Sequence, residues 1–292
     1  MMKIDLHIHS TVSDGTDSPG EILRKVKDAG IGLFSLTDHD AVKGCRVIRD
    51  LLGEGDPRFI PGAEFSCRDE MGKYHILGYG FDPDAEAVNR LADTGHANRM
   101  EKVRARLAFI REEFGFAFSR EDEDALLALD NPGKPHIALL MVKYGYVKTK
   151  EEGIDKVLNR MRPASRYIRP EQAIREILAS GGTPVLAHPA FGNGDQLIRG
   201  TELEERILRL KMFGLEGIEG FYSGYSEDIC REILSLADRL GLYVTAGSDC
   251  HGGNKSIPLG DTGPGSDCMA DPDAAPEGLR RFLADVCGIE SL

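Results

Sequence analysis

"KIDLHIHSTVSDGT", residues 3–16, is the stretch whose reading decides the fold. Ile4, Leu6 and Ile8 alternate with Asp5, His7 and His9, the period-two pattern of a strand with two unlike faces. One face is apolar. The other carries a carboxylate and two imidazoles, with Asp14 and Gly15 just beyond, where a solvated face would show Thr, Lys or Ser. Two His at i and i+2 point the same way, close enough to hold a metal ion together.

Outward from this strand the chain alternates short apolar runs with helical stretches. "SPGEILRKVKDAG" offers Ser18 as N-cap, Pro19 at the first helical position and Glu21 as the capping-box partner. "LFSLTDH", "RFIPGAEFSC" and "KYHILGYGF" read as strands. From Asp82 to about Pro163 the chain is charged and helical in period, with four helical stretches beginning at "NRMEKVRARLAFIREEF". We read residues 82–163 as a helical insertion between 1–81 and 164–292. The βα rhythm resumes with "TPVLAHP", "LEGIEGF" and "LYVTAGSDCH" as strands between helices. Repeated βα units predict an α/β fold with a parallel sheet, open or closed into a barrel. Residues 255–276, rich in Gly, Pro and Asp, read as a loop.

The net charge of −12 provides no field for a nucleic-acid backbone, and no basic stripe interrupts it. Small substrates are expected rather than long nucleic acids. No apolar run approaches the ~20 residues a membrane span needs. The first strand begins almost at once, leaving no room for a signal peptide, so the expected location is the cytoplasm. The six cysteines form no CxxC pair and read as reduced core thiols.

Six of the eight histidines, His7, His9, His39, His75, His188 and His251, lie in or at the ends of these strands, where α/β folds place their sites. Asp14, Glu64 and Asp249 accompany them, and Asp249 and His251 repeat the i, i+2 spacing of the first strand. Any one of these residues alone is as readily structural. Together they offer imidazole and carboxylate without thiolate, a donor set suited to Zn, Mn or Fe. Nine donors exceed the needs of one ion, so two or three ions are expected, with Glu64 able to bridge.

The motifs "DLHIHSTVSDG", "TDHD", "GAEFS", "YHILGYG", "LAHP" and "GSDCHG" resemble, in order, those of the PHP (polymerase and histidinol phosphatase) family, in its stand-alone bacterial phosphoesterase form. The resemblance implies a distorted (β/α)7 barrel with a helical insertion and a centre of three divalent metal ions (Mn, Zn or Fe). It makes His7, His9, Asp14, His39, Glu64, His75, His188, Asp249 and His251 the ligands, with Glu64 bridging. Cys250, where relatives often carry an aromatic residue, is expected to face away from the metals. Asp5 and Asp38 are not ligands in this scheme. They are expected to orient imidazoles, or, for Asp38, to cap a helix.

The implied activity is release of inorganic phosphate from a small nucleotide or sugar phosphate by a metal-bridging hydroxide. Nucleoside 3′,5′-bisphosphates and oligonucleotide ends are the favoured substrates; a ribose 1,2-cyclic phosphate and histidinol phosphate are the alternatives. Arg99, Lys134 and His136 in the insertion, and Arg166 beyond it, are the expected substrate contacts, with His136 placed to contact or protonate the leaving group. An Arg or Lys on a helix is as often simply solvated. Two readings of other classes stand beside this one. An amidohydrolase would not need Asp14, Glu64 and the "HIL" at 75–77. A nucleotide-binding module would be expected to have lost ligands, and all nine positions are filled.

Overall fold

A computed structural model describes residues 2–161, 166–192, 196–264 and 274–289. Part of the expected 255–276 loop, the insertion boundary at Pro163 and Cys268 lie outside the described residues.

The chain divides into two compact units, residues 1–92 with 168–292, and residues 93–167. In the first unit, β1 (Lys3–Asp5), β2 (Ile31–Phe34) and β3 (Arg58–Phe59) form a parallel three-stranded sheet. A second sheet runs β4 (Gly62–Asp69), β5 (Gly72–Tyr79), β6 (Thr183–Leu186), β7 (Gly217–Tyr222), β8 (Tyr243–Gly247). The β6–β7 and β7–β8 pairings are parallel, but β5 runs antiparallel to both neighbours, so the sheet is mixed rather than purely parallel as expected. The physical reason is the connection: the two residues between β4 and β5, Glu70 and Met71, allow only a hairpin, whereas a parallel pair needs a crossover.

Backbone hydrogen bonds continue past the strand ends and join the two sheets at both edges. Leu6 N–H donates to Ala246 O at 2.9 Å, Asp249 N–H to His7 O at 2.8 Å and His9 N–H to Cys250 O at 2.9 Å. On the other edge Asp40 N–H donates to Glu64 O at 2.9 Å. These bonds carry the segments that bear the histidines.

Helices α1 (Pro19–Asp28) and α2 (Lys43–Leu51) follow β1 and β2. In α1 the expected cap is present: the Ser18 hydroxyl accepts from Glu21 N–H, and the Glu21 carboxylate accepts from Ser18 N–H at 2.7 Å. Pro19, Ile22, Leu23 and Val26 fall on one face and are buried. The long α3 (Glu86–Phe114) leads into the second unit, which contains α4 (Arg120–Leu127), α5 (Lys134–Lys143) and α6 (Lys150–Lys156). Returning to the first unit, α7 (Pro170–Ala179), α8 (Gly200–Met212), α9 (Glu227–Leu240) and α10 (Glu277–Asp285) complete the helices. The main core of the first unit gathers Phe65, Ile76, Leu77, Val185, Ile218, Val244 and Phe282. The second unit has its own core of Val103, Leu107, Ile110, Leu126, Ile137, Met141 and Leu158.

The described cysteines, Cys45, Cys67, Cys230, Cys250 and Cys287, are buried thiols, as expected. Burial pushes the Cys45 thiol up to about 12, so it is inert as a nucleophile near neutral pH.

Candidate metal centre

His7 and His9 stand just past β1, His39 past β2, His188 past β6, and Asp249 and His251 past β8. Glu64 and His75 lie within the β4–β5 hairpin, not at a strand end. All these side chains belong to the first unit and converge.

Around the first pair, His7 Nε2 and His9 Nε2 are 3.1 Å apart. Asp249 Oδ1 is 3.6 and 3.2 Å from them, and Glu64 Oε2 3.3 and 3.2 Å. Glu64 also faces outward from this group. Its Oε2 is 3.0 Å from His39 Nδ1, while its Oε1 is 2.8 Å from His75 Nδ1 and 3.1 Å from His188 Nε2. A third gathering joins Asp14, His39 and His251, with His251 Nε2 3.3 Å from Asp14 Oδ1. Asp249 and His251 share the i, i+2 spacing, and His251 Nδ1 lies 3.4 Å from Asp249 Oδ1. Asp249 has a left-handed backbone (φ 57°), and the two side chains belong to different groups of donors, Asp249 with His7 and His9 and His251 with Asp14 and His39. His188 is also left-handed (φ 26°); conformations of this kind in non-glycine residues concentrate at functional sites.

The donor set fits divalent ions. Two donors each about 2.1 Å from one ion stand roughly 3.0–3.4 Å apart at right-angle or tetrahedral geometry. The spacings above lie around that range. Asp14 Oδ1 and His75 Nδ1 are buried and close to opposite groups, yet neither is aligned for a hydrogen bond with a described residue. Lone pairs aimed at a shared point, rather than at each other, are what a cation requires.

Neighbouring acceptors fix the rings. His7 Nδ1 lies 2.9 Å from Glu219 Oε1, and an ionised carboxylate can only accept, so Nδ1 carries the proton and Nε2 turns its lone pair inward. His251 Nδ1 likewise donates to Asp249 O at 2.8 Å. Glu219 is fully buried in β7, and its second oxygen accepts from His188 N–H at 2.8 Å. A register shift between Glu219 and Phe221 in the β7–β8 pairing accompanies this placement. Gly247 permits the approach: a Cβ there would stand 2.2 Å from His7 Cβ and 2.6 Å from Glu219 Oε1.

The electrostatics follow from packing. Burial opposes charge on Glu64, but His75, His39 and His7 outweigh it and hold the carboxyl well below the usual range. His7 and His9 do the same for Asp249, as do His39 and His251 for Asp14. Burial also opposes charge on His9, yet Asp249 and Glu64 raise it to about 9. Burial keeps His39 well below its ordinary value. Metal binding calls for ionised carboxylates and neutral rings, so a bound cation would displace the proton that Asp249 and Glu64 favour on His9.

Asp5 and Asp38 depart from expectation. Asp5 touches no imidazole; it accepts from the backbone N–H of His7, Ser248 and Gly260 and from the Ser248 hydroxyl. Being on the strand face nearest the backbone of β8, it fixes loops rather than rings. Asp38 is not a helix cap, since α2 begins after Val42 without a side-chain cap. It accepts from Ser10 and Ser13, and Ser13 Oγ lies 3.5 Å from His9 Nδ1, so Asp38 reaches a ring only through Ser13. Cys250 lines a separate cavity with Ile22, Lys25 and Leu259 and is not among the lining residues of the ligand-rich one.

Arg99, Lys134, His136 and Arg166 all belong to the second unit. Lys134 Nζ donates to Asn159 Oδ1 at 2.6 Å. His136 Nδ1 accepts from Gly133 N–H at 3.0 Å, which puts the neutral ring's proton on Nε2. Glu219, Tyr222 and Lys255 escaped the sequence reading. The signal for Glu219 was a carboxylate inside the otherwise apolar run "GIEGF".

No family model matches the chain. Among curated proteins it is 31% identical over 258 residues to a 3′,5′-nucleoside bisphosphate phosphatase of Chromobacterium violaceum, covering 86% of this chain and 88% of that one. It is 28% identical to a 5′-3′ exoribonuclease of Haemophilus influenzae, covering 85% of this chain and 90% of that one. It is also 28% identical to a phosphoribosyl 1,2-cyclic phosphate 1,2-diphosphodiesterase of Eggerthella lenta, covering 87% and 96%. A solved Chromobacterium violaceum structure, described as an amidohydrolase with bound sulfate and no metal, superposes with a TM-score of 0.75 at 28% identity, covering 92% of this chain and 96% of that one. Fold, donor set and relatives define a phosphoric ester hydrolase. The chain belongs to the PHP family of metal-dependent phosphoesterases.

Proposed function

We infer that the chain removes phosphate from a small nucleotide, with a nucleoside 3′,5′-bisphosphate or an oligonucleotide end as the favoured substrate. The observation that carries this reading is the convergence of nine imidazole and carboxylate side chains from distant parts of the chain in the first unit: Asp14, His39, Glu64, His75, His188, Asp249 and His251 line one cavity of some 190 Å3, and His7 and His9 lie against its Glu64 and Asp249. Its likeness to a nucleoside bisphosphate phosphatase, an exoribonuclease and a phosphoribosyl cyclic phosphate diphosphodiesterase supports the substrate class.

Three divalent ions would be held by His7, His9 and Asp249, by His75 and His188, and by Asp14, His39 and His251, with Glu64 shared. When bound, such ions supply an acidified water and neutralise phosphoryl charge. The chain's own work is to hold the donors. Glu219 fixes the His7 ring, Asp38 acts through Ser13 on His9, and Asp5 ties the His7 and Ser248 backbones together. The second unit is read as a substrate cap, with Arg99, Lys134 and Arg166 as phosphate contacts and His136 Nε2–H as a donor toward the leaving group. A closed, distorted (β/α)7 barrel, with β3 and the β4 that begins three residues after its end counted as one interrupted strand, is the architecture we read into the bonds that join the two sheets at both edges.

Phosphate release from a panel of esters, with Mn, Zn or Fe supplied, tests the reading. A bisphosphate should be the best substrate; no turnover on any ester with any of the three metals would overturn it. Preference for a ribose 1,2-cyclic phosphate would favour the diesterase alternative.

A further inference from the structure

We propose that Lys255 is a phosphoryl-contacting residue, the chain's own fixed positive charge at the reaction site. The proposal rests on the phosphoesterase reading and adds to it a specific side chain from outside the ligand set.

Among the described residues, Lys255 is the only Lys or Arg lining the ligand-rich cavity, beside Asp14, His39, Glu64, His75, His188, Tyr222, Asp249 and His251. Its ammonium donates to Asp249 Oδ2 at 2.5 Å, and the Tyr222 hydroxyl donates to the same oxygen at 3.0 Å. Asp249 is thereby divided: Oδ2 is occupied by these two donors, and Oδ1 alone faces His7 and His9. An ammonium has three donors, and the bond to Asp249 uses one.

The segment around Lys255 is fastened on both sides. Gly253 N–H donates to Thr16 Oγ1 at 2.7 Å and Asn254 Nδ2 to Asp14 O at 2.8 Å. Beyond Lys255, Gly260 N–H donates to Asp5 Oδ2 at 2.8 Å. A solvated lysine gains nothing from such anchoring. A lysine that must meet an anion at a fixed point does, because a preorganised charge needs no reorganisation as negative charge spreads over the phosphoryl oxygens. The side chain is about one-third exposed, so it borders the cavity rather than filling it. That is where an oxygen directed away from the ligand cluster would lie.

The test uses the full chain loaded with Mn. Lys255→Met keeps length and loses charge. Elemental analysis should give the wild-type metal content. Calorimetric affinity for inorganic phosphate should fall about ten- to hundredfold, in line with loss of a charge-assisted hydrogen bond, and kcat should fall with it. Lys255→Arg should recover most of the phosphate affinity. Lys255→Gln, the second variant if the first does not fold, should weaken phosphate binding as Met does. Unchanged phosphate affinity in either neutral variant would overturn the proposal. So would loss of metal in step with loss of affinity, which would make Lys255 only a support for Asp249. Turnover by the wild-type chain is scored separately, so a failure of the phosphoesterase reading and a failure of this one give different results.

Discussion

The two units handle polarity in opposite ways. The first buries His7, His9, Glu64, Glu219, Asp5 and Asp249 in or just past its strands, each close to another polar group. The second has a core of aliphatic side chains flanked by Phe109, Phe114, Phe116, Phe118 and Tyr146, and its ion pairs, such as Arg111–Glu123 and Lys143–Asp122, lie at its surface. Burying an unpaired charge costs far more than burying a methyl group, so polarity kept inside must serve something. By this contrast, substitutions in the first unit should act on metal and chemistry, and those in the second on substrate affinity or stability.

The largest effect is expected at Glu64, whose two oxygens face separate groups of donors. Glu64→Gln should lower metal content by more than one ion per chain and kcat/KM at least about 10^3-fold, since several kcal/mol of charge stabilisation leave with the metal. Elemental analysis with steady-state kinetics checks this; full metal content would separate Glu64 from the ligand set. Next comes Glu219→Gln, which keeps the shape and removes the charge behind His7 and His188. Metal affinity or activity should drop about ten- to hundredfold, the usual cost of losing an outer partner of a ligand. Competition with a chelator measures it, and an unchanged affinity would reduce Glu219 to packing.

The difference between the units also explains what the sequence could disclose. Period-two alternation exposed the first strand face, and the Ser18–Glu21 box announced α1, because both are local patterns. The nine clustered residues were visible because buried imidazoles need partners, and their motifs are short and chemically distinctive. Glu219 was hidden because one carboxylate in a strand carries no spacing signal; its meaning comes from His7, 212 residues away. Lys255 was hidden in a Gly- and Pro-rich stretch that reads simply as a loop. The antiparallel β5 followed from the length of the β4–β5 hairpin, which competed with the parallel pattern suggested by the surrounding βα units.

In the second unit, Arg99 offers a sharper cut. If it meets a second phosphate, Arg99→Ala should raise KM about tenfold for a substrate with two phosphates and much less for one with a single phosphate, with kcat and metal content little changed. Equal changes for both substrates would deny it that role.

The smallest effect is expected in the core of the second unit. Ile137 of α5 is fully buried there as a member of the aliphatic cluster. Ile137→Val removes one methylene and should cost about 1 kcal/mol, near the middle of the range for this change in a packed core. Because the residue belongs to the second unit and the metal donors to the first, metal stoichiometry should stay at the wild-type value while the thermal midpoint falls by a few degrees. Scanning calorimetry on the metal-loaded chain reads one quantity and elemental analysis the other. A metal content that fell with stability would mean that the helical unit supports the ligand cluster energetically, and the division drawn between buried polarity and buried hydrocarbon would no longer follow the boundary between the units.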